Sequence, residues 1–161
     1  MSLYYISVGS NMGDRFRYLV NAVFDLKKRG IQMQGLSSIY ETEPWGKTDQ
    51  TPFLNAVLAV EWMGEAEELL DILQATEIRF GRVRHEKWGP RTLDLDLIYS
   101  DDKSCCTDRL TLPHPYFWER LFVLVPLEEL SPDFFWEGQS IHNRITFLEG
   151  GQTITKWSHQ W

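Results

Sequence analysis

The hydrophobic period of this chain switches repeatedly between two and three-to-four over its first hundred residues, and that succession restricts the available folds more than any single motif does. "LYYISVG" (3–9) reads as a buried strand. "DRFRYLVNAVFDLKKRG" (14–30) places Phe16, Leu19, Val20 and Val23 on one helical stripe, with Asp14 to cap its start and Gly30 to end it. "IQMQGLSSIYET" (31–42) reads as a strand. So does "FLNAVLAVEW" (53–62), with Leu54, Ala56, Leu58 and Val60 on one face and Phe53, Asn55 and Val57 on the other. A second helix runs from about Ala66 to Phe80 with Leu69, Leu70 and Leu73 buried. In the last of these elements Leu93, Leu95 and Leu97 alternate with Asp94 and Asp96.

The order β-α-β-β-α-β predicts an α+β fold with a ferredoxin-like core, an antiparallel sheet carrying both helices on one face and leaving the other free. Extra C-terminal elements, partly helical, follow Pro113. A chain of 161 residues, 43% hydrophobic, suits a single domain over 1–161. The Gly/Pro-marked stretches 42–52 and 81–91 read as exposed loops.

Aspartate is depleted in strands, so the pair Asp94 and Asp96 needs a reason. Residues two apart on a strand point the same way, roughly 6.5–7 Å apart. One reading is a solvated face. The other is a divalent cation, since Mg²⁺ prefers oxygen ligands and commonly takes one or two carboxylates plus substrate phosphates. Both stand on this motif alone. Just upstream, Arg79, Arg82, Arg84, Lys87 and Arg91 concentrate positive charge in a chain of net charge −7. Cations beside paired carboxylates are what a polyphosphate with Mg²⁺ requires.

The net charge argues against a general nucleic-acid binder. No stretch has the pattern of a signal peptide or a membrane span, so a cytoplasmic location with no membrane partner is expected. Cys105 and Cys106 are adjacent and lack metal-site spacing, and the four histidines are scattered. No GxxxxGK[ST] run is present. Residue chemistry thus leaves two classes open: a metal-dependent phosphoryl-type transferase and a ferredoxin-like nucleotide-binding regulatory module without turnover.

"KWGPRTLDLDLI" (87–98) resembles the signature of the 6-hydroxymethyl-7,8-dihydropterin pyrophosphokinase family. "VGSNMGD" (8–14), "YETEPWG" (40–46), "FLNAV" (53–57), "GRVR" (81–84), "LTLPHP" (110–115) and "RLFVLVPL" (120–127) resemble its other blocks, in order. The resemblance implies transfer of pyrophosphate from ATP to 6-hydroxymethyl-7,8-dihydropterin, giving AMP and the dihydropterin pyrophosphate, and a monomeric enzyme is expected. It implies that Asp94 and Asp96 hold two Mg²⁺ ions and that Arg82 and Arg91 serve the transferring phosphates. Arg84, Lys87, Trp88, Arg91, Ile98, Arg109, Thr111, His114 and Arg120 match ATP-site positions. Gly9, Thr42, Pro44, Trp45, Phe53, Asn55, Asp94 and Phe122 match pterin-site positions. Tyr116 and Lys87 stand where many members carry a basic residue and an arginine, respectively. Composition alone would make Phe53 and Phe122 core residues. Glu77 continues the helix stripe of Leu70 and Leu73, either lining the nucleotide pocket or marking the end of burial.

Overall fold

The computed structural model describes residues 1–43, 51–81 and 92–161. An antiparallel sheet is built from β1 (Ser2–Ser10), β2 (Gln32–Leu36), β3 (Ile39–Thr42), β4 (Phe53–Trp62) and β5 (Asp94–Ser100). The helices α1 (Arg15–Lys28) and α2 (Ala66–Arg79) connect its parts. Beyond β5 come two short pairs, β6 (Cys105–Cys106) with β7 (Thr111–Leu112) and β8 (Phe135–Trp136) with β9 (Gln139–Ser140). The helices α3 (Leu121–Leu130) and α4 (Ile141–Leu148) and the strand β10 (Ile154–Ser158) complete the chain. The strands lie in the order β10-β3-β4-β1-β5, and β2 also pairs with β4.

Local chemistry sets the element ends. Asp14 caps α1 by accepting the Arg17 N–H at 3.1 Å. Gly30, at φ +94, turns the chain out of the helix so that the Ile31 N–H reaches the Leu26 carbonyl. The stretch expected as one strand over 31–42 is broken at Ser37 and Ser38. The Ser37 hydroxyl accepts the Val57 N–H at 2.9 Å while the Ser37 N–H bonds the Val57 carbonyl, so a side chain takes a place in the ladder and β2 and β3 pair separately with β4.

Two apolar clusters flank the sheet. On one side Tyr4, Ile6, Val8, Leu54, Leu58, Leu95 and Leu97 pack with Leu19, Ala22, Val23 and Leu26 of α1 and with Leu69 and Leu73 of α2. The α1 stripe is rotated from the expected one: Ala22 and Leu26 are buried and Val20 is partly exposed. The opposite face, expected to be free, is covered over part of its area. There Tyr5, Val57, Ala59 and Ile98 pack against Phe117, Leu121, Leu124 and Leu127 and against Ile141 and Ile145 of α4. The tail after Pro113 was expected to be partly helical, and it is; β10 is a further strand, closing the β3 edge of the sheet. Among the described residues no helix is long and apolar enough to cross a membrane.

Candidate active site

Strand register gathers the site residues on the face that carries α3. Gly9 on β1 stands opposite Asp94 on β5 and opposite Asn55 on β4, and Asn55 stands opposite Tyr40 on β3. In the next row Asp96 faces Ser7, and at the end of β4 Phe53 faces Thr42. Directly opposed residues share a face. One surface therefore runs from two carboxylates, across a glycine, to an asparagine amide. The two aspartates are partly exposed while Leu93, Leu95 and Leu97 are buried on the other side. The alternation expected from the sequence is observed, on a strand at the end of the sheet order.

Glycine is needed at position 9 because the Asn55 side chain lies across it: a Cβ there would stand 2.6 Å from Asn55 Oδ1. The same amide donates through Nδ2 to the Thr42 hydroxyl at 2.7 Å, and Asn55 and Thr42 are both buried. This fixes which end of the amide points toward Gly9.

The pairing of β5 with β1 slips between Tyr5 and Ile6, leaving Ile98 as an extra residue on β5. Its carbonyl accepts the His114 N–H at 2.8 Å, which pins the segment after β7 onto β5. The Ile98 side chain, expected at the nucleotide site, is buried in the cluster under α3. Arg120, also buried, has its guanidinium 5.3 Å from the Tyr116 ring centre and 5.5 Å from that of Phe122. Phe122 is partly exposed, as is Phe53, so neither is the fully buried core residue that composition alone would make it.

His114 joins this group electrostatically. Burial, then the positive charge of Arg120, push its pKa down to about 4, and the charge of Asp94 opposes them. Its Nδ1 accepts the Tyr116 N–H at 3.1 Å, which suits a neutral ring protonated on Nε2. With a folded value below the ordinary 6.5, the unfolded chain takes up this proton first as pH falls. The stability contributed is complete above about pH 6.5 and is lost progressively toward pH 4, by up to about 3 kcal/mol. Urea unfolding should show that loss in the wild type and a smaller one in His114→Gln. Parallel pH profiles for the two would contradict it.

Among the described residues, the remaining expected ones stand on neighbouring elements. Glu77 is 2% exposed and accepts the Leu95 N–H at 2.8 Å, so its carboxylate joins α2 to the backbone between the two aspartates. Arg109 is exposed and pairs with Asp71 and Glu67 on α2. Thr111 is exposed on β7. Pro44, Trp45, Arg82, Arg84, Lys87, Trp88 and Arg91 lie outside the described residues. Tyr40 and Ser7 share the site face although neither was expected there, since only the strand register brings them in.

The donor set fits magnesium of a particular kind. Among the described residues no group of three or more His, Cys, Asp or Glu side chains converges. Two same-face carboxylates suit a cation that takes its remaining oxygens from phosphate and water rather than from a protein cage.

Comparison with known proteins gives the chain a family and its fold a set of relatives. The model of the family described as 7,8-dihydro-6-hydroxymethylpterin-pyrophosphokinase matches residues 5–132. A Methylorubrum extorquens 2-amino-4-hydroxy-6-hydroxymethyldihydropteridine pyrophosphokinase is 39% identical over 150 residues, covering 92% of this chain and 95% of the relative. A Bacillus subtilis protein of the same name is 44% identical over 127 residues, 78% of this chain and 76% of its own. Among solved structures, an HPPK-DHPS in complex with substrates superposes with a TM-score of 0.71 at 12% identity, a likeness of fold. It involves 93% of this chain and 46% of that longer one. Wild-type Plasmodium falciparum HPPK-DHPS with pteroate gives a TM-score of 0.69 at 11% identity, over 91% of this chain and 42% of the other.

Proposed function

The chain belongs to the 7,8-dihydro-6-hydroxymethylpterin-pyrophosphokinase family, and from that premise we propose how its residues divide the work of the reaction. The reaction is the ATP- and magnesium-dependent transfer of pyrophosphate to 6-hydroxymethyl-7,8-dihydropterin, with AMP as the other product, in folate biosynthesis.

The observation that carries the assignment of roles is the register that sets Asp94 and Asn55 on either side of Gly9. The pterin lies over Gly9, with the Asn55 amide, held by Thr42, reading its edge. Phe53 and Phe122 border its faces, and Pro44 and Trp45 complete the slot. A glycine without a Cβ lets a flat ring approach the sheet. The acceptor hydroxymethyl group then stands near Asp94, beside the carboxylates that would hold two Mg²⁺ ions. When bound, magnesium supplies positive charge to the phosphate oxygens and offsets the repulsion between Asp94 and Asp96. Arg82 and Arg91 take the transferring phosphates. Arg84, Lys87, Trp88, His114 and Arg120 hold the rest of ATP, with Arg109, Thr111 and the Ile98 backbone at its margin. Glu77 acts through the Leu95 N–H, holding β5 in place.

The hydroxymethyl oxygen attacks the β-phosphorus as the bond to the α-phosphate oxygen breaks, releasing AMP. Such a transfer leaves a protein mainly the tasks of positioning and of stabilising charge. The strand order supports a ferredoxin-like description of the core. We extend the reading to a single catalytic domain over the whole chain, acting as a cytoplasmic monomer.

Formation of AMP from Mg-ATP that depends strictly on added hydroxymethyldihydropterin tests this. A nucleotide-binding regulator would bind ATP without consuming it in either condition, and that result would overturn the reading. A finer test uses Gly9→Ala. The added methyl must displace the Asn55 amide from Thr42, and losing one such hydrogen bond costs about 1–1.5 kcal/mol. Pterin affinity should fall roughly tenfold with ATP affinity unchanged, measured by calorimetric titration. Unaltered pterin binding would contradict the place given to Asn55.

A further inference from the structure

We infer that Glu129, at the far end of α3 from the site, is a positioning residue for the pterin slot: it stakes α3 to β3 and so sets Phe122 relative to Asn55. The inference rests on the slot reading given above. Helix α3 carries Phe122 in its first turn and Glu129 in its last, roughly 10 Å further along the axis. Among the described residues its other hold on the sheet is apolar, through Leu121, Leu124 and Leu127 against Val57 and Ala59, and such contacts are non-directional. The helix is also weakened internally. Pro126 has no N–H, so the helical bond to the Phe122 carbonyl is missing. A helix of this kind needs directional anchors at its ends.

It has both. At the N-terminal end Gln152 accepts the Leu121 N–H at 2.9 Å and donates to the Glu119 carbonyl at 2.9 Å. At the C-terminal end the Glu129 carboxylate accepts the Ser38 N–H at 3.2 Å, the Ser38 hydroxyl at 2.9 Å and the Tyr40 hydroxyl. Glu129 is itself exposed, but Ser38 and Tyr40 are each only 6% exposed, so its partners are fixed parts of the sheet. Burial and the neighbouring carboxylate push the Tyr40 phenol up, which keeps it a donor.

The strand it grips orients the reading amide. Tyr40 stands opposite Asn55, and Thr42, two residues on, holds the Asn55 Nδ2. Glu129 thus connects the helix bearing one wall of the slot to the strand that aims its polar edge. Without it α3 keeps its apolar seat and loses the contact that sets its register on β3.

The test compares Glu129→Ala, Glu129→Gln, Tyr40→Phe and Phe122→Ala for KM of each substrate, kcat and thermal midpoint. For Glu129→Ala the pterin KM should rise roughly tenfold, the loss expected from a misplaced contact of about 1.4 kcal/mol, with kcat and the ATP KM within about twofold of the wild type. Glu129→Gln, which retains an acceptor oxygen, should recover most of that loss, and Tyr40→Phe should fall between. A pterin KM unchanged in Glu129→Ala, or both KM values rising together as stability falls, would overturn the inference. Should Glu129→Ala fail to fold, Tyr40→Phe decides by the same criteria. If Phe122→Ala also leaves the pterin KM unchanged, the slot reading fails; if it raises that value and the Glu129 and Tyr40 variants do not, only the inference about Glu129 fails.

Discussion

Asp94→Ala and Asp96→Ala should each lose turnover by at least about a thousandfold while keeping the fold and most of the pterin affinity. The magnitude follows from charge. Positioned cations at a transferring phosphate contribute several kcal/mol of transition-state stabilisation, and about 4 kcal/mol corresponds to a factor of a thousand. The fold should survive because both side chains are partly exposed on the face away from Leu93, Leu95 and Leu97, which fill the core beneath. The β5 backbone also keeps its pairing with β1 and the Glu77 bond to the Leu95 N–H. Steady-state AMP formation at saturating magnesium, with a thermal melt of each variant, checks this. Full activity in both variants would remove the carboxylate pair from the mechanism.

The second large effect is expected at Phe122. A fully buried phenylalanine cut to alanine costs about 3–5 kcal/mol of stability, but Phe122 is partly exposed at the edge of the cluster under α3, so Phe122→Ala should cost less. Its ring should matter more to the ligand. Stacking contributes about 0.5–1.5 kcal/mol beyond the area buried, and with that area the loss comes to about 2 kcal/mol, or roughly thirtyfold in pterin affinity. ATP affinity should change less than threefold, because Arg120 keeps its second ring, Tyr116. Calorimetric titration of each ligand beside a urea melt separates the cases. A broadly destabilised protein with both affinities reduced would make Phe122 a core residue instead.

Periodicity and capping made the elements before β5 readable, because each depends on near neighbours: Asp14 and Gly30 bound α1 by local hydrogen bonds alone. What resisted reading depends on partners distant in the chain. The break at Ser37 and Ser38 arises from a hydroxyl that bonds Val57, and the burial of Ala22 and Leu26 in place of Val20 depends on how α1 is rotated against the sheet. Strand β10 is not legible in the sequence because "ITKWS" has little alternation and finds its place only beside β3. At the site, the carboxylate pair was visible as an anomaly in a strand, and the family motifs named most of the candidates. The meeting of Asp94, Gly9 and Asn55 in one row was not visible, since it follows from the register of three strands. Glu77 is out of place on an apolar stripe by sequence alone, and one of its contacts, the Leu95 N–H of β5, lies far away in the chain.

Tracing the β-phosphorus tests the central claim most directly. With ATP labelled at the β-phosphate, magnesium and hydroxymethyldihydropterin, pyrophosphoryl transfer at this site predicts that the label leaves the nucleotide entirely, appears in the pterin product and is absent from AMP. Label retained in a nucleotide product, or ATP left unconsumed while pterin is present, would contradict it.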